Sequence, residues 1–281
     1  MRIVRPALLG IALVTAVVTG MTPRAQTPAA LPEPVAAFDQ LLDQHVVEGN
    51  VYYRALKAQR APLDRFVESL KAAVPGNQPY EAQVAFWINA YNALVIQTVA
   101  DHYPIAGSSP TYPAASLRQI PGAFDRLPHQ VAGRTVTLDE IEQNVLPAFK
   151  DPRAFFALGR AAVGGPRLRS EVYTADRLER QLSEAAAECA DHEQCLRVDR
   201  LNDRLHVSAI FAWRQAEFIA AYADRAGPAF SARSPIERAI IGLVLPSLYG
   251  AERDFLERSR FQLDYLPFDW TLNDMATYGA R

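Results

Sequence analysis

Two asparagines, Asn89 and Asn92, lie inside "AFWINAYNALVIQTVADHYP" (Ala85 to Pro104), a run otherwise apolar enough for a buried helix. At 100° per residue, Ala90, Gln97 and Asp101 share the only weakly polar face. Both asparagines fall opposite, in a stripe with Ala85, Ile96 and Val99, so their amides are expected to point into the core. A buried amide left unpaired costs about 1–3 kcal/mol. Each therefore needs a fixed partner: either the pair pins a loop from inside, or it lines a pocket. Trp87 and Tyr91, one turn apart, bring an N–H and an O–H that also need partners when buried. His102 ends the run beside Asp101, where a protonated imidazole suits a helix C-terminus and a neutral one is the best general-base candidate. Asp269, beside Trp270, offers a carboxylate that could receive the amides or close the last segment onto the core. The residue types fix no catalytic group; His102 and Asp269 are only candidates.

A second grouping is "ECADHEQCL", which holds Cys189 and Cys195, the two cysteines of the chain, with His192 midway. Cys-x2-His-x2-Cys offers three metal ligands, but a structural zinc site wants four, and no fourth is evident. A disulfide is the favoured reading. Six residues of continuous helix would hold the two Cα atoms about 9 Å apart, and bridging needs less than about 7 Å. The helix from Thr174 should therefore stop near Cys189. None of His45, His102, His129, His192 and His206 forms a pair with metal-ligand spacing, and no Gly-x-Ser-x-Gly elbow is present. No metal or cofactor is expected.

Helical periodicity dominates the elements that must position these groups. "PVAAFDQLLDQHV" and "APLDRFVESLKAAV" are amphipathic, the second with Pro62 in its first turn. The asparagine helix should end near Tyr103, because Pro104 biases its predecessor away from helical backbone. Residues 105 to 128, rich in Pro, Gly and Ser, read as a long loop anchored by Tyr112, Leu117, Ile120 and Phe124. "HQVAGRTVTL" predicts a hairpin turning at Ala132–Gly133. Thr137 and Glu140 fit a capping box, which accounts for the acids of "TLDEIE" without catalysis. "AFFALG", "RLHVS" and "FQLDYLPF" read as short strands, Ser208 as the cap of "AIFAWRQAEFIAAYA", and Ser234, Pro235 and Glu237 as a helix start. The fold class is α+β and mostly helical, a single domain with a small β-sheet packed against helices.

The N-terminus carries Arg2 and Arg5, an apolar run from Pro6 to Met21, then small and polar residues. That is the order of a secretory signal peptide, and the run is short for a membrane span, which needs about 20 residues. Residues 1–25 are read as signal peptide, 26–34 as linker and 35–281 as the domain. No cysteine near the cleavage zone permits a lipid anchor. No membrane span is expected after cleavage. A formal charge of −2 with both signs interspersed argues against nucleic acid as a partner.

Taken in order, "AFWINAYNAL", "DHYP", "TLDEIE", "DPR", "FALG", "YTADRLERQL", "IFAW" and "FDWTLN" resemble domain-of-unknown-function family 547, from about Phe38 to Asn273. The resemblance implies a secreted or periplasmic protein and hands over no reaction. Where many members of that family carry Asn-Cys after the "FAL" segment and Cys-Pro further on, this chain has Gly159–Arg160 and Gly165–Pro166. The glycines would let backbone approach a ligand, and Arg160, Arg167 and Arg169 could hold an anion or be solvated.

The sequence thus favours a periplasmic or secreted domain that binds a small molecule or an envelope protein. Its expected site is a polar-lined pocket near Trp87, Asn89, Tyr91, Asn92 and Arg160. The alternatives are a hydrolase-like envelope enzyme using His102 with a carboxylate, and a non-catalytic scaffold whose buried amides serve stability.

Overall fold

Residue 89 sits at the middle of the helix Tyr80–His102, which is the axis of the fold. In the computed structural model, which describes residues 30–278, this helix is buried almost all round from Val84 to Ala100. Even Ala90, on the expected polar face, is enclosed; Gln97 is half-buried, and Asp101 and His102 are exposed. Such all-round burial requires neighbours on every side. They are the helices Tyr53–Ala58, Ala61–Leu70 and Leu178–Asp191, and the turns between Leu138 and Phe149. The helix Val35–His45 packs on Ala61–Leu70, with Phe38 stacked on Phe66 at 4.5 Å. A second pair, Gln215–Tyr222 and Pro235–Val244, completes the core from the other end of the chain. The capping box of Ser234 and Glu237 is formed as expected. The described residues from Pro32 to Tyr278 belong to one compact unit.

The β-structure is small, and the fold is mostly helical α+β. Val46–Val47 pairs with Asn50–Val51, and His129–Val131 with Arg134–Val136. The second hairpin turns at Ala132 and Gly133, both at positive φ (52° and 73°), the backbone that a two-residue turn between twisted strands demands. The third sheet places Arg204–Val207 at its centre, antiparallel to Leu196–Asp199 and parallel to Gln262–Tyr265.

Four local expectations are corrected. "AFFALG" is not a strand: Asp151 caps Arg153 N–H and Pro152 opens a 3-10 turn, Pro152–Phe156, which buries Phe155 and Phe156. The helix expected from Thr174 begins at Leu178, because the Thr174 hydroxyl accepts from Arg177 Nε and its N–H donates to Gln181 Oε1. "TLDEIE" keeps the Thr137 cap but widens from a single helical turn, Leu138–Glu140, into a π-helical turn, Ile141–Val145. The helix after Ser208 breaks at Arg214, whose φ of −119° separates Ala209–Trp213 from Gln215–Tyr222. Among the described residues no helix is long and apolar enough to cross a membrane. The signal-peptide segment, residues 1–25, lies outside the described residues.

Candidate functional site

Both asparagines are fastened to backbone. Asn92 Nδ2 donates to Ala157 O at 3.0 Å and its Oδ1 accepts from Gly159 N–H at 2.8 Å. Asn89 repeats the arrangement on a single residue, donating to Tyr173 O at 2.8 Å and accepting from Tyr173 N–H at 2.9 Å. The two amides therefore staple both ends of the irregular segment 157–173 to the central helix, and Gln181 adds a third tie, from Nε2 to Val172 O.

Beside them lies a buried charge cluster. Arg160, fully enclosed, donates through Nη2 to Glu142 Oε1 at 2.8 Å and through Nε to Oε2 at 3.2 Å. Arg214 Nη2 reaches the same Oε1 at 3.3 Å, and the Tyr91 hydroxyl donates to Oε2 at 3.1 Å. Burial pushes the Glu142 carboxyl up, but Arg160 and Arg214 outweigh it and hold it below the usual carboxylate range. Burial, aided by Glu142, raises Tyr91 well above an ordinary phenol. The cluster is thus a carboxylate fixed in its ionised form between two guanidinium groups.

Glu142 and Arg214 were missed in the sequence, although a signal existed. Leu138, Ile141, Glu142 and Val145 share one helical stripe, as do Phe211, Arg214 and Phe218, so each charge falls on an apolar face. The π turn keeps Glu142 inward.

One opening is a cleft of about 490 Å³, within the range of small-ligand sites. Four segments distant in sequence supply most of its wall, 48–50, 162–167, 188–195 and 272–274, joined by Phe156, Ala185, Ser208 and Ile210. The stapled segment supplies the second wall. Gly164 N–H donates to Asp269 O at 2.8 Å, and a Cβ on Gly164 would lie 2.4 Å from Asp269 N, so only glycine fits there. The third wall carries the disulfide Cys189–Cys195, with Cα atoms 5.0 Å apart. The helix stops at Asp191, His192 is extended, and its carbonyl accepts from Cys195 and Leu196 N–H. Five carboxylates line the cleft, those of Glu48, Glu188, Asp191, Glu193 and Asp274, together with Arg167 and His192. Asp274 Oδ2 accepts from the Tyr103 hydroxyl at 2.7 Å. Among the described residues no carboxylate lies within ion-pairing distance of Arg167, whereas Arg169 is held by Glu171 and Glu184.

The expected site residues divide accordingly. Trp87, Asn89, Tyr91, Asn92 and Arg160 come together around the central helix, but none of them lines the cleft. Trp87 is buried under Arg134, whose guanidinium carbon is 5.2 Å from the ring centre. Gly159 and Arg160 are taken up by Asn92 and Glu142, while Gly165 and Pro166 face the cleft. His102 is exposed, and its Nδ1 lies 2.8 Å from Thr98 O. Asp269 Oδ1 accepts from Thr271 N–H rather than from either asparagine amide. Neither candidate for acid–base chemistry lines the cleft. Among the described residues no group of three or more His, Cys, Asp or Glu side chains is arranged to hold a metal.

No curated protein and no solved structure shows a significant match to the chain. The matched family segment ends one residue before Cys189, and it contains every motif from "AFWINAYNAL" to "YTADRLERQL" while leaving "IFAW" and "FDWTLN" outside. Over residues 75–188 the chain matches the family model described as a protein of unknown function, DUF547, and its resemblance to that family stands on this segment.

Proposed function

We propose that the protein is an exported domain of the cell envelope that binds a small zwitterionic or amine-bearing ligand in the cleft. Residues 1–25 act as signal peptide, 26–34 as linker and 35–281 as a single domain. The observation that carries the reading is the cleft's charge arrangement: five carboxylates line it together with Arg167, which among the described residues has no carboxylate within ion-pairing distance. An ammonium group meets the acids, and a carboxylate on the same ligand meets the planar fork of Arg167. The order of charged, apolar and small residues at the N-terminus supports export, as does a disulfide, which persists in oxidising compartments.

Calorimetry and thermal unfolding of purified residues 26–281 with amino acids, dipeptides and polyamines test the reading. At least one of these should bind and raise the unfolding temperature by several degrees at a hundredfold excess over Kd. Gln194→Trp, at the exposed rim, fills the opening and should abolish the effect without altering the ligand-free stability. A flat response across the panel would contradict the reading.

A further inference from the structure

A different surface groups Arg118 with four aromatic rings. Arg118 sits in the corner made by two edge-to-face rings, its guanidinium carbon 4.3 Å from the centroids of both Phe124 and Trp270. Its Nε is buried with no hydrogen-bonding partner, and among the described residues no carboxylate comes within ion-pairing distance of the group. Ring faces on two sides attract a guanidinium while leaving its N–H groups without an acceptor. Around it the rings continue outward. Trp213 and Trp270 lie within 20° of parallel with centroids 6.1 Å apart, and Phe268 leans against both at 4.9 and 4.5 Å. Trp213 is 43 % exposed, unusual for a tryptophan in a chain whose other two are buried or half-buried. Asp139 lies near Arg118, beyond ion-pairing distance. Its half-buried carboxylate enters no hydrogen bond among the described residues.

We infer that Arg118, Trp213, Phe268 and Trp270 form a binding surface for a saccharide bearing a carboxylate. A pyranose presents a face of C–H bonds, which suits the electron-rich face of an exposed aromatic ring. Its carboxylate completes the two-pronged hydrogen bonding that the Arg118 edge lacks within the protein. Asp139 can accept from ring hydroxyls. The charge demand separates this occupant from an aliphatic peptide side chain, which would leave the guanidinium unanswered. The site is independent of the cleft: none of its residues lines that cavity.

The test measures tryptophan fluorescence and calorimetric binding of the full mature chain with oligomers of galacturonate, mannuronate and hyaluronan, each beside its carboxyl methyl ester. At least one acidic oligomer should bind, and its ester should bind at least tenfold more weakly. Trp213→Ala, at an exposed position, and Arg118→Gln, which keeps the length of the chain, should each weaken the acid form at least tenfold. Gln194→Trp in the cleft should leave that binding unchanged. Absence of binding to all three oligomers overturns the inference, as does equal affinity for acid and ester or binding insensitive to Trp213→Ala. The acid-against-ester comparison needs no variant, so it stands even where a substitution disturbs folding.

Discussion

Each amide of Asn89 and Asn92 satisfies one backbone carbonyl and one backbone N–H, so truncating either leaves two buried groups unpaired. Asn89→Ala and Asn92→Ala should each lower stability by about 1–3 kcal/mol, read as a lower urea midpoint with unchanged slope. The charge cluster obeys a harsher rule, because removing one partner strands a buried charge. Glu142→Ala, which leaves Arg160 and Arg214 facing each other, should cost about 3–5 kcal/mol. The linkage has a definite sign. Glu142 titrates lower in the folded chain than its ordinary value of 4.5, so the unfolded state binds the proton first as pH falls. Its contribution is complete above pH 4.5 and is lost below it, as pH passes through the folded value. Glu142→Gln should flatten that part of the acid unfolding curve. The direction of the asparagine amides was legible from helical periodicity alone. Their partners were not, because Ala157, Gly159 and Tyr173 lie more than 60 positions away and offer only backbone.

Among the elements, periodicity and capping chemistry located the helices Val35–His45, Ala61–Leu70, Tyr80–His102 and Pro235–Val244, and glycine at positive φ located the hairpin. The failures are local. At "AFFALG" the Asp151 cap and Pro152 open a 3-10 turn, whereas the π-helical turn after "TLDE" and the break at Arg214 have no local sequence signal. The disulfide was legible because helix geometry forbids the bridge unless the helix ends; it ends two residues beyond Cys189, and His192 makes the turn. That element shapes the cleft wall at 188–195. The paired substitution Cys189→Ala, Cys195→Ala should lower stability by about 2 kcal/mol, the entropy of closing so short a loop. It should also weaken any cleft ligand more than Asn89→Ala does, since it loosens the wall directly. Unfolding curves and titrations of the two variants compare these effects.

For the molecule as a whole, the cleft was not legible. Its walls come from segments far apart in sequence that no local pattern brings together, and the buried helix Tyr80–His102 is tied to the wall at 162–167 through the segment 157–173. Export belongs to this scale as well. Expression of the full chain with its own N-terminus should yield a periplasmic or secreted protein beginning at Gln26, which intact-mass measurement reads directly; a cytoplasmic, full-length product would contradict it. The central claim is that the asparagines of the axial helix hold the segment 157–173, and through it the wall at 162–167. Hydrogen exchange tests this most directly, comparing the wild type with Asn92→Ala under conditions where both remain folded. The amide of Gly159 and its neighbours up to Arg167 should exchange at least tenfold faster in the variant, while the core of Tyr80–His102 keeps its protection. Unchanged exchange across 157–173, or a uniform rise over the whole chain, would contradict it.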